Sequence, residues 1–111
     1  MRLIVRAILE RNYSEICNQE YFDMIVNSIK DVQKINKFNP DFLVIALGFD
    51  TAKGDPTGTW MLEADDFRKI GIIIGKLPFS TLFIQEGGYN TKTIKKNARF
   101  FFKGVWDGSF A

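Results

Sequence analysis

FNPDFLVIALGFDTAKGDPTGT, residues 38–59, decides the fold class. Phe42 to Leu47 is a short, unbroken apolar run, the composition of a strand buried on both faces. Asn39 and Pro40 end any helix before it, because the residue preceding a proline is pushed out of helical geometry. Gly48 to Thr59 then places Gly48, Gly54, Gly58 and Pro56 within one stretch, which makes it a structured loop. A strand apolar on both sides needs cover on both sides, and helices flanking a parallel sheet supply it.

The flanks agree. Upstream, Phe22, Ile25, Ile29, Val32 and Ile35 recur at steps of three and four, predicting a helix over Gln19–Lys37 with Asn18 as its N-cap. Downstream, Glu63, Asp65 and Asp66 favour a helix N-terminus, and Phe67, Ile70, Ile73 or Ile74 and Leu77 form its apolar stripe before Pro78 closes it. Thr81 to Gln85 reads as a second buried strand, followed directly by Glu86-Gly87-Gly88-Tyr89. A last helix is expected from about Thr91, with Ile94, Ala98, Phe101, Phe102 and Val105 as its apolar face and Gly104 and Gly108 marking a frayed end. Lys92, Lys95 or Lys96, Arg99 and Lys103 form a solvated face. Phe100, Phe101 and Phe102 cannot share one stripe, so part of this aromatic surface, with Trp106, is expected to meet another protein segment.

Composition narrows the function. The 111 residues suffice for one small core, and 46% hydrophobic with 25% charged residues is ordinary globular usage. A net charge of +2 gives no basis for a nucleic-acid partner. Met1 to Leu9 lacks a cleavage site, and no run approaches the ~18 apolar residues of a membrane span, so no membrane partner is expected. Cys17 stands alone, which fits a reducing cytoplasm. There is no histidine anywhere, so any imidazole base or ligand would have to come from another chain.

Four residues invite a chemical reading, each with a structural alternative. Asp50, just after a buried strand in a glycine-rich loop, is a candidate metal ligand or a brace for that loop. Asp55, beside Pro56, reads as a loop brace with no catalytic role. Glu86 is either a carboxylate supporting a site or, by default, a helix cap. Tyr89, after two glycines, either presents its hydroxyl as an oxyanion donor or anchors the loop by packing. Parallel strands ending on one edge would bring the loops from Gly48 and Glu86 to a common pocket.

Taken together, Phe38–Val44 leading to Gly48-Phe49-Asp50 and Gly54-Asp55-Pro56, then Gln85-Glu86-Gly87-Gly88-Tyr89, resemble the zinc-dependent deacetylase family of histone deacetylases and acetylpolyamine amidohydrolases. The 39-residue interval from Asp50 to Tyr89 agrees with the family spacing. Asn97-Ala98-Arg99-Phe100-Phe101 and Gly104-Val105-Trp106 look closer to the amidohydrolases and their bacterial relatives. Residues 1–17 match poorly.

The resemblance implies an α/β fold, a partial three-layer α/β/α arginase/deacetylase-like arrangement with parallel strands. Residues 1–111 would form a single partial domain, the C-terminal portion of the deacetylase domain. It implies Asp50 as one of two aspartate ligands that hold zinc with a histidine, and Tyr89 as donor to the tetrahedral oxyanion. Thr57, Gly87 and Gly88 would line the substrate channel. In such sites zinc polarises the amide carbonyl and activates water, and a histidine pair supplies general acid and base. The other aspartate and the histidines belong to family segments expected before residue 1.

The chain is therefore expected to act as a fragment of an amidohydrolase for acetylated amines, inactive and without retained zinc when alone. Its expected partners are an upstream fragment carrying the missing residues, or copies of itself. The alternative is a non-catalytic binding or oligomerisation module built on the same scaffold.

Overall fold

The computed structural model describes residues 3–5, 32–58 and 60–110. They fall into two compact units, one comprising Met1–Gly48 with Phe79–Glu86 and the other Phe49–Pro78 with Gly87–Ala111. The helix expected over Gln19–Lys37 lies mostly outside the described residues, as do Asn18, Phe22, Ile25 and Ile29.

The first unit contains a three-stranded parallel sheet in the order β1 (Leu3–Val5), β2 (Phe42–Leu47), β3 (Ser80–Gln85). Leu3 is in register with Phe42, and β2 pairs with β3 from Phe42↔Ser80 to Leu47↔Gln85. Residues 32–38 are helical (α1). Asn39, at a left-handed φ of 51°, donates its N–H to the Ile35 carbonyl at 3.0 Å, and so caps the helix where Asn39-Pro40 was expected to stop it.

Within β2 the alternate residues Leu43, Ile45 and Leu47 are buried, while Val44 and Ala46 are half-buried. The second strand departs from expectation. Leu82 is 58% and Ile84 46% exposed, so β3 is not a buried strand. Its sequence is apolar enough for a sheet interior, but among the described strands β3 pairs only with β2 and forms the edge. β1 was not anticipated, because three residues carry too little periodicity to announce a strand.

The second unit is built on two helices, α2 (Ala64–Gly75) and α3 (Ile94–Ser109). The Asp66 carboxylate accepts the Glu63 N–H at 2.9 Å, satisfying a donor at the start of α2, and Pro78 follows the end as expected. Phe67, Ile70, Ile74 and Phe101 are buried, with the Phe49 ring 5.2 Å from Phe67 and 6.2 Å from Phe101.

Gly104 and Gly108 do not mark a frayed end; they are buried within α3. A Cβ on Gly104 would collide with the Arg68 carbonyl and one on Gly108 with the Ile72 carbonyl. Reciprocally, a Cβ on Gly71 would collide with the Phe101 carbonyl and one on Gly75 with the Val105 carbonyl. The paired spacings Gly71/Gly75 and Gly104/Gly108 let the two backbones approach as no larger residue would permit. Arg68 and Asp107 add an ion pair across the same contact at 3.1 Å. Lys92, Lys95, Lys96, Arg99 and Lys103 are exposed, as expected of a solvated face. Among the described residues no helix is long and apolar enough to cross a membrane.

Candidate functional site

Asp50, Thr57, Gly87, Gly88 and Tyr89 all belong to the second unit. The loop carrying Asp50 is closed on itself by an isolated parallel bridge between Ala52 and Leu62. The Lys53 N–H reaches the Leu62 carbonyl at 2.8 Å and the Leu62 N–H the Thr51 carbonyl at 3.2 Å. Buried Ala52 and Leu62 anchor that closure, while Asp50 itself is exposed.

The loop carrying Tyr89 joins it through backbone. The Phe49 N–H donates to the Gly87 carbonyl at 3.0 Å. Gly87 and Gly88 have φ of 151° and 128°, in a region that L side chains rarely adopt. A Cβ on Gly88 would lie 2.8 Å from the Phe49 Cβ and 2.9 Å from the Ile94 Cδ1. Gly87 is the meeting point of the two candidate groups. The position its Cβ would occupy is 3.6 Å from the Asp50 carboxyl carbon, 3.7 Å from its Oδ2 and 3.7 Å from the Tyr89 ring at Cε2. The absence of a side chain there lets carboxylate and phenol ring approach a common space. The Tyr89 side chain is 56% exposed, so it is not an anchor packed beneath its loop.

Asp55 is the buried carboxylate of this region, only 4% exposed. Its Oδ1 accepts the Thr57 N–H at 2.8 Å and the Thr57 hydroxyl at 2.6 Å, and its Oδ2 accepts the Tyr89 N–H at 2.8 Å. Burial pushes the Asp55 pKa up. The hydrogen bonds from the Thr57 hydroxyl and from the backbone N–H groups of Tyr89, Thr57 and Asn90 outweigh it, and the carboxyl is held below its ordinary value. Asn90 adds a bond from Nδ2 to the Gly54 carbonyl at 3.2 Å. The brace expected at Asp55 is thus present. Its reach to Tyr89, 34 positions along the chain, had no signal in the sequence. Glu86 caps no helix: it is exposed, and Thr93 occupies the N-cap of α3.

As a metal site the residues present are incomplete. Among the described residues no group of three His, Cys, Asp or Glu side chains could hold a metal ion, and the sequence has no histidine. Asp50 offers one carboxylate where a zinc site needs several ligands in fixed geometry, so these residues do not form one by themselves. A cavity of about 400 Å³ lies elsewhere in this unit, lined by Lys53, Glu63, Thr93, Lys96, Asn97 and Phe100 among others, and includes neither Asp50 nor Tyr89.

Residues 5–105 match the histone deacetylase domain family. An acetylpolyamine amidohydrolase of Burkholderia pseudomallei is 36% identical over 84 residues, which are 76% of this chain and 24% of that protein. Acetylpolyamine amidohydrolase 1 of Pseudomonas aeruginosa is 38% identical over 92 residues, covering 76% of this chain and 27% of that protein. The crystal structure of the acetylpolyamine aminohydrolase from Burkholderia pseudomallei superposes with a TM-score of 0.75 at 33% identity, over 79% of this chain and 26% of that one. The histone deacetylase Clr3, at 21% identity and a TM-score of 0.71, shares the fold. The chain thus spans about a quarter of the length of these amidohydrolases. With a family match over residues 5–105 and amidohydrolase relatives above 30% identity over three-quarters of its length, the chain belongs to the histone deacetylase domain family.

Proposed function

We propose that this chain supplies part of the active site of a zinc-dependent amidohydrolase that removes acetyl groups from acetylated amines, either acetylpolyamines or acetyl-lysine. Asp50 is one carboxylate ligand of the metal, Tyr89 the hydrogen-bond donor to the developing oxyanion, and Thr57, Gly87 and Gly88 line the substrate channel. Thr57 gives its hydroxyl proton to Asp55, so toward substrate it offers an acceptor and a methyl group. The observation that carries this reading is the convergence of Asp50 and Tyr89 on Gly87. The remaining ligands and the histidines come from a complementary segment, and the chain alone neither retains zinc nor deacetylates.

The test joins this chain to the other three-quarters of the Burkholderia pseudomallei amidohydrolase, replacing the matched part. The hybrid is expected to bind zinc and hydrolyse an acetylpolyamine or an acetyl-lysine peptide. Asp50→Asn should abolish metal retention, and Tyr89→Phe should lower kcat by about 10²–10³. A folded hybrid whose zinc content is indifferent to Asp50→Asn would sink the assignment.

A second reading, a non-catalytic binding or oligomerisation module, is favoured by one observation. Phe102, Trp106 and Phe110 recur every fourth residue along one side of α3 and its C-cap, all exposed, with the Trp106 and Phe110 rings 4.8 Å apart. A monodisperse, zinc-free chain that unfolds cooperatively, paired with an inactive hybrid, would support it.

A further inference from the structure

We propose that Asp55 is a positioning residue for Tyr89, holding the backbone from which the phenol projects. Two glycines precede Tyr89 at φ values of 151° and 128°, and glycines restrict a chain less than any other residue. A group that must sit at one place follows a segment with little stiffness of its own. The structure supplies constraint from outside the turn: the Phe49 N–H holds the Gly87 carbonyl at 3.0 Å, and at Tyr89 itself the 2.8 Å bond from its N–H to Asp55 Oδ2 fixes the backbone.

That tether is itself held at its other end. Oδ1 takes both the N–H and the hydroxyl of Thr57, so the carboxylate cannot swing without breaking bonds on both oxygens. Burial keeps water from competing, and ionisation strengthens each bond. The Asn90 amide, one residue beyond Tyr89, binds the carbonyl of Gly54, one residue before Asp55, and doubles the link between the two loops. Asp50 needs no such tether, because the Ala52–Leu62 bridge closes its loop locally.

The catalytic consequence rests on the function proposed for Tyr89, whereas the physical contact does not, and two experiments separate them. In the 111-residue chain, amide hydrogen exchange at neutral pH reads the tether. The Tyr89 N–H should be protected, and Asp55→Asn should speed its exchange on the order of tenfold or more, because the replacement amide cannot accept on both sides. Thr57→Val, which retains the backbone bond, should have a smaller effect. A Tyr89 amide exchanging at the rate of an unstructured peptide in the unmodified chain overturns the proposal.

In the hybrid enzyme, Asp55→Asn should lower kcat at least tenfold while leaving KM within about twofold, and should cost nothing further once Tyr89→Phe is present. An equal loss with and without the Tyr89→Phe substitution would mean that Asp55 acts on general structure, and would overturn the positioning role. A protected, Asp55-dependent Tyr89 amide with an inactive hybrid would leave the tether standing and remove the amidohydrolase reading instead.

Discussion

Asp55 is the residue whose charge and burial are most tightly joined. Its carboxyl is held below the usual 3.8, so the folded chain binds this proton less readily than the unfolded chain does. The stabilisation it confers is therefore present above about pH 4 and is lost as pH falls through the lowered folded-state value. The part of the urea midpoint that depends on Asp55 should be nearly flat from about pH 7 to 5 and decline below 3.8. Asp55→Asn should lower stability at neutral pH by about 1–3 kcal/mol and remove that part of the acid-induced decline. At Gly88 the constraint is steric: a methyl group would press on Phe49 and Ile94 from a backbone angle that alanine disfavours. Gly88→Ala should destabilise by about 1–3 kcal/mol, read as a lower urea midpoint at unchanged slope.

At the scale of elements, the crossing of α2 and α3 is set by backbone meeting backbone. Glycine normally weakens a helix interior by ~1 kcal/mol relative to alanine, so Gly71, Gly75, Gly104 and Gly108 each reduce the intrinsic propensity of their helices. The contact they permit must outweigh that cost. Gly104→Ala raises helix propensity yet drives a methyl group into the Arg68 carbonyl, and should lower stability by about 1–3 kcal/mol in urea unfolding. Exposed Lys95→Ala on the same helix should change it by less than about 0.5 kcal/mol. The edge strand β3 gives an opposite expectation. Replacing exposed Leu82 with Lys should leave unfolding little changed and, where copies of this chain associate through β3, the edge among the described strands, lower the weight-average mass in sedimentation.

For the molecule as a whole, what could be read in advance was whatever depends on neighbours in sequence. The apolar run 42–47, the glycine-rich loop after it, the acidic start of α2 and the stop at Pro78 are local signals and reappear in the structure. Asp50 and Tyr89 were picked out by their motifs and their separation, and they do approach one another at Gly87. What escaped depends on distant partners. The exposure of β3 follows from which strands pair with it, the burial of Gly104 and Gly108 from a second helix, and the hold on Tyr89 from a carboxylate in another loop. The glycine crossing carries one more consequence. α2 follows the loop of Asp50 and α3 follows the turn of Tyr89, so the clasp between the helices joins the two elements into which those segments lead. A lesion there should register first as faster amide exchange around Asp50 and Tyr89, at temperatures below the melting of the chain.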